Sequence, residues 1–137
     1  MLLDAKTMFS RGRKASNHTD SLGSWGEAQA ERFLKKGGLK TLARNVSCRS
    51  GEIDLVMVDA ERAVVFVEVK TRACETFAPT EEAIHYGKRQ RMIRAARYFL
   101  AAHHIEDRPL RFDAVIVLGT PESGHPQVRH YENIFTP

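Results

Sequence analysis

At 137 residues, with 42% apolar and 28% charged side chains, the chain has the make-up of one globular domain built around a single core. No apolar run approaches the roughly 18 residues of a membrane span. No charged-then-apolar start suggests a secretory signal, and Cys48 and Cys74 are too few for a disulfide scaffold and lack metal-ligand spacing, so a reducing cytoplasm is the default compartment.

Residues 1–20 are polar, aperiodic and punctuated by Gly and Ser, and read as a flexible, mildly basic arm before an α/β domain over 21–137. From Ser21 to about Lys36 the pattern is helical: Leu22, Gly26, Ala30, Phe33 and Leu34 share a stripe, and "KKGG" closes it. Glu27 lies on the border of that stripe, almost in line with Leu34. A short strand is predicted over Leu39 to Ser47. The stretches "GEIDLVMVD" and "AVVFVEVKTR" follow as two strands joined by a tight turn near Asp59 to Arg62. "APTEEAI" opens a short helix, and Gly87 breaks or bends the chain. A longer helix runs from Lys88 to His103 with Met92, Ala95, Ala96, Phe99 and Leu100 inside. "LRFDAVIVLG" and "QVRHYENIF" are the last two strands. An order close to αβββαββ predicts an α/β fold, a central mixed β-sheet flanked by helices.

Three charges sit where that sheet should be apolar. A hairpin turn centred on Glu61 places Asp54 directly opposite Glu68, their Cβ atoms about 5 Å apart. Alternation then puts Glu52, Asp54, Val56 and Val58 on one face with Val64, Phe66, Glu68 and Lys70. Ile53, Leu55, Met57, Val65, Val67 and Val69 take the other. Opposed carboxylates repel and push a pKa upward unless a cation intervenes. Lys70 supplies one positive charge, and a divalent ion with oxygen ligands, which suits Mg²⁺, would supply the rest. Such a set suits metal-assisted phosphodiester hydrolysis. It depends on the register, because a one-residue slip turns Asp54 to the opposite face.

Between Tyr86 and Tyr98 lie Lys88, Arg89, Arg91, Arg94 and Arg97 with no acidic residue among them, either a phosphate-facing surface or a solvated helix face. Glu52 reads equally as a supporting acid or a solvated charge. Arg111 and Asp113 read as a structural ion pair. Trp25 and Tyr98 read as core residues rather than base-stacking platforms. His103-His104 carries no zinc spacing, since adjacent helical side chains diverge by about 100°.

These residues also carry a resemblance. "GEIDLV" followed by "EVKTR" is similar to the core of the PD-(D/E)xK nuclease superfamily, whose fold is that of type II restriction endonucleases. With "GSWGEAQAERFL", "RN" at Arg44-Asn45, Lys88 and Arg91 in "GKRQRM", Tyr98, "RFD" and the closing "NIF", the chain resembles the YraN family of Holliday-junction-resolvase-like bacterial proteins. The resemblance implies metal ligation by Asp54, Glu68 and the Val69 carbonyl. Lys70 would hold or activate water, and Glu27 would be an acid that helps bind metal or orient water. It also implies phosphate contact by Lys88, with Arg89, Arg91 and Arg94 along the same helix. The Pro of the superfamily's name is replaced by Ile53, which removes no chemistry. The implied function is a Mg²⁺- or Mn²⁺-dependent DNA endonuclease selective for branched DNA, acting as a homodimer with no membrane partner. The alternative is a DNA-binding or assembly module that keeps the fold and cleaves nothing.

Overall fold

A computed structural model describes residues 19–73 and 86–137. The predicted "APTEEAI" helix and nearly all of the predicted arm fall outside them. In chain order the described elements are α1 (Thr19–Lys36), β1 (Lys40–Cys48), β2 (Gly51–Val58), β3 (Val64–Arg72), α2 (Tyr86–Ala102), β4 (Leu110–Leu118), a 3₁₀ turn (Pro121–Ser123) and β5 (Gln127–Tyr131). The strands form one sheet in the order β1-β2-β3-β4-β5, with β3 and β4 parallel and the other neighbours antiparallel. Parallel neighbours need a crossover connection, and α2 lies within it. The result is the α/β architecture predicted, a mixed sheet consistent with the restriction-endonuclease-like fold.

Period-2 alternation gives the sheet two apolar faces. Val65, Val67 and Val69 join Leu55 and Met57 under Ala30 and Leu34 of α1. Val64 and Phe66 join Val56 and Val58 under Met92, Ala96 and Phe99 of α2. Phe66 anchors the α2 side, stacked on Phe112 at 5.3 Å and edge-on to Phe99 at 6.3 Å between ring centroids. Truncating such a fully buried ring costs about 3–5 kcal/mol.

The helix ends follow from local chemistry. Gly38 takes φ 104°, and the Leu39 and Gly38 N–H groups bond the Leu34 and Lys35 carbonyls, closing α1 as "KKGG" predicts. His104 plays the same part for α2 at φ 54°. The β2–β3 turn is held by Asp59, whose Oδ1 accepts the N–H groups of Glu61 and Ala63 while Arg62 takes φ 72°.

Three expectations need correction. Phe33 is 42% exposed because α1 meets the sheet along the narrower line of Gly26, Ala30 and Leu34. Tyr98, expected in the core, is 55% exposed. Ala95 and Phe99 take the buried positions, and Tyr98 lies beside Ala95 at the solvent edge of that face. The last strand stops at Tyr131, short of "ENIF". Asn133 leaves the ladder at φ 55° and donates its N–H to Asp113 Oδ1 at 2.9 Å. The segment beyond stays docked, through an Ile134 N–H bond to the Phe112 carbonyl and Phe135 stacked on Phe112 at 4.7 Å.

Candidate functional site

The site begins where two strands part. Leu55 faces Val67, Val56 faces Phe66 and Val58 faces Val64, the register that a turn at Glu61 predicts. This ladder ends one pair short of Asp54 and Glu68. Beyond it β2 continues beside β1 to Gly51 and β3 continues beside β4 to Arg72, so the strands form a fork. Asp54 lies at its crotch and accepts the Val69 N–H through Oδ2 at 2.8 Å, where a ladder carbonyl would otherwise stand.

Asp54 reaches that position through a break in strand alternation. Residues two apart on a regular strand share a face. Ile53, however, packs in the α2-side core with Val46, while Leu55 packs in the α1-side core. Ile53 is therefore corrected from the face predicted for it. The turnover falls at Asp54, and opposite it, between the pairs Arg44–Leu55 and Val46–Ile53, stands Asn45 at φ 52°. Positive φ is uncommon outside glycine, and asparagine is among the few residues that tolerate it. Arg44 is pinned to α1 just before this kink: its Nε and Nη2 donate to Glu31 at 2.8 and 2.7 Å.

Glu68 is 4% exposed, and two ammonium groups meet its Oε2. Lys88 Nζ, from the first turn of α2, lies at 3.2 Å and Lys70 Nζ at 3.4 Å. The lysine of the "Glu-x-Lys" pair is thus not the nearer one. Glycines bring both helices to the fork. A Cβ on Gly51, the first residue of β2, would overlap the backbone oxygen of Arg91, so α2 lies directly on that strand end. A Cβ on Gly26 would overlap Thr71 Oγ1, so α1 rests on β3 beside the fork and carries Glu27 there.

The electrostatics follow from this crowding. Burial pushes the Asp54 carboxyl well above the usual carboxylate range, and the charges of Glu68 and then Glu27 push it further. The Val69 N–H and Lys88 oppose them without prevailing. Glu27, from a different face of the sheet than α2, is therefore an electrostatic member of the site. Among the described residues no group of three or more His, Cys, Asp or Glu side chains is placed to hold an ion. The carboxylates that meet electrostatically at the fork are those of Asp54, Glu68 and Glu27. Mg²⁺ commonly binds through one or two carboxylates and keeps waters, so the donor set fits such an ion.

The remaining predicted residues spread along α2. Arg91 and Arg94 are exposed, whereas Arg89 is half-buried with its guanidinium 5.5 Å from the Phe135 ring centroid. Glu52 is exposed at the start of β2, paired with Ser47. Arg111 and Asp113 form the predicted ion pair, through bonds of 2.9 Å from Nε and Nη2, and His130 adds a 2.7 Å contact to Asp113. No described helix is long and apolar enough to cross a membrane.

The profile of the Uncharacterised protein family UPF0102 matches residues 26–117. The chain belongs to this family. UPF0102 is the YraN family of the resemblance. UPF0102 proteins similar to it include one from Nocardia farcinica, 44% identical over 84% of this chain and 89% of the relative. One from Methylobacillus flagellatus is 48% identical over 70% of this chain and 82% of its own. One from Geobacter metallireducens is 39% identical over 88% and 96%. The UPF0102 match spans every candidate residue from Glu27 to Arg94 and ends in β4, before the β5 segment that caps Asp113.

Four contributors to this UPF0102 site carry no charge signal in the sequence: Asn45, Gly26, Gly51 and Thr71. An asparagine within a strand run, where its propensity is low, was the one local clue to the kink. Nothing in a sequence marks which glycines lie under a helix.

Proposed function

We propose that this chain is a divalent-metal-dependent DNA endonuclease whose reacting centre is the β2–β3 fork. The observation that carries the reading is the placement of Asp54 and Glu68 at one strand fork with Lys70 and Lys88 on the same Glu68 oxygen. The Glu68 charge raises the Asp54 carboxyl, and a cation near both would relieve that repulsion. Asp54, Glu68 and the Val69 carbonyl would hold Mg²⁺ or Mn²⁺, which when bound supplies positive charge to a phosphate oxygen and acidifies water.

The chain's own residues divide the remaining work. Lys70 would orient the attacking water and stabilise it as its proton passes to solvent, and Glu27 would accept a hydrogen bond from that water. As the water oxygen bonds to phosphorus, the bond to the leaving sugar oxygen breaks, and that oxygen takes a proton from solvent. Lys88 exchanges part of its pairing with Glu68 for a non-bridging phosphate oxygen, drawing the scissile group toward the fork. Arg91 and Arg94 bind flanking phosphates, contacts that are sequence-independent and salt-sensitive. A branched substrate with two-fold symmetry calls for a homodimer. The cytoplasm is its proposed compartment.

The test is incubation with branched, flap, single-stranded and duplex DNA plus Mn²⁺, beside a Glu68→Ala control. Metal-dependent cleavage lost in Glu68→Ala supports the proposal. Cleavage that survives the substitution sinks the site assignment. A second reading, a binding or assembly module that cleaves nothing, draws on the same ion pairs, which balance Glu68 with protein cations alone. DNA binding without cleavage of any substrate would favour it.

A further inference from the structure

Tyr98 was expected in the core and is instead the most exposed large hydrophobic side chain among the described residues, at 55%. Its surroundings give that exposure a direction. From Lys88, positions 91, 95 and 98 follow at i+3, i+7 and i+10, one stripe of an α-helix. Ala95 is small and buried, so Lys88, Arg91 and Tyr98 form a continuous line with Arg94 and Arg97 on its outer side, all three arginines exposed. The seventeen residues of α2 include no acidic side chain. The line starts at the fork, where Lys88 meets Glu68, and reaches Tyr98 about 15 Å along the helix axis.

An exposed aromatic ring flanked by guanidinium groups suits a base more than a phosphate. In a duplex the base faces are occupied by stacking, and a ring on a helix surface reaches only backbone. An unpaired base offers its face, and base–aromatic stacking contributes about 1–3 kcal/mol per base. We propose that Tyr98 is a stacking platform for an unpaired base of DNA whose backbone runs along Lys88, Arg91 and Arg94. The inference rests on the DNA-directed reading above and narrows it: the favoured substrate has a single-stranded segment near the target phosphate rather than continuous duplex. At a B-form rise of about 3.4 Å per nucleotide the stacked base lies about four steps from the phosphate at the fork, fewer for an extended strand.

The test is done on binding, in EDTA, so that it does not depend on cleavage. Single-stranded and duplex oligonucleotides are titrated by fluorescence anisotropy against wild type, Tyr98→Phe, Tyr98→Leu and Arg94→Ala. Tyr98→Leu should weaken single-strand binding by on the order of 5- to 150-fold, with duplex affinity within about twofold. Tyr98→Phe, which keeps the ring, should bind as wild type. Arg94→Ala should weaken both substrates and lower the salt slope by roughly one phosphate contact. A 5-iodouracil scanned along the single strand should cross-link wild-type protein at Tyr98, a readout that needs no variant. Equal losses on both substrates for Tyr98→Leu, no loss on either, or cross-links that avoid Tyr98 overturn the platform and leave the nuclease reading standing. Absence of binding to any DNA overturns both. Loss of cleavage in Glu68→Ala is a separate experiment and moves only the metal assignment.

Discussion

Gly51→Ala adds one methyl group and should disturb both the stability and the site. The added Cβ would overlap the backbone oxygen of Arg91, and a backbone atom, unlike a side-chain tip, cannot rotate away. Restoring van der Waals contact requires α2 to retreat from β2 by about 1 Å, and overpacking of this kind costs roughly 1–3 kcal/mol. For a chain of this size each kcal/mol lowers Tm by about 3–5 °C. The same retreat carries Lys88 away from Glu68, stretching a 3.2 Å ion pair beyond 4 Å. Misplacement of about 1 Å at a reacting centre can cost on the order of 100-fold in rate. Urea denaturation and single-turnover cleavage, on the same preparation, measure the two effects. Wild-type stability in Gly51→Ala would show that α2 does not rest on this glycine. Full activity at reduced stability would show that Lys88 need not be held at the fork.

Asn45→Gly keeps access to φ 52° and should be nearly neutral, whereas Asn45→Ala should lose about 1–2 kcal/mol in urea denaturation and weaken Mn²⁺ binding, because Asp54 is no longer aimed into the fork. Equal behaviour of the two variants would remove the kink from the account. Asp54→Asn should raise the urea midpoint at neutral pH. A carboxyl whose folded pKa lies above its unfolded value, about 3.9, withdraws stability as pH climbs through the folded pKa, and the amide does not. The gain should therefore vanish near pH 4, and a pH-independent difference would contradict it. For Asp113, burial pushes the carboxyl up, but hydrogen bonds from His130, Arg111 and the Asn133 N–H bring it below the usual range. Glu31 is likewise raised by burial and brought lower overall by Arg44 and Thr41. Both contributions are present above the unfolded values and lost as pH falls through the depressed ones, so Asp113→Asn should narrow the loss of stability measured below about pH 4.

Legibility in the sequence was uneven, for physical reasons. Strand alternation and turn chemistry set the β2–β3 register because a buried sheet face tolerates only one, and Leu55–Val67 and its neighbours hold it up to one pair short of Asp54 and Glu68. The cap of α1 was readable from glycine after two lysines, whereas the His104 cap of α2 was not. The fork itself was not: where one ladder stops and two others continue is decided by the parallel β3–β4 pairing, a contact between segments 46 residues apart at Phe66 and Phe112. Ile53 was misplaced because alternation assumes a regular strand, and Asn45 makes this one irregular. Tyr98 was misread because an aromatic among arginines fits either side of a helix until its buried face is known.

Asp54 and Glu68 are proposed to share one divalent cation, which the anomalous density of a crystal soaked in Mn²⁺ would reveal. One peak is expected at about 2.0–2.2 Å from an oxygen of each carboxylate and near the Val69 carbonyl, absent from Glu68→Ala crystals. A peak bound elsewhere, or an empty fork in crystals that cleave DNA when dissolved, would contradict it.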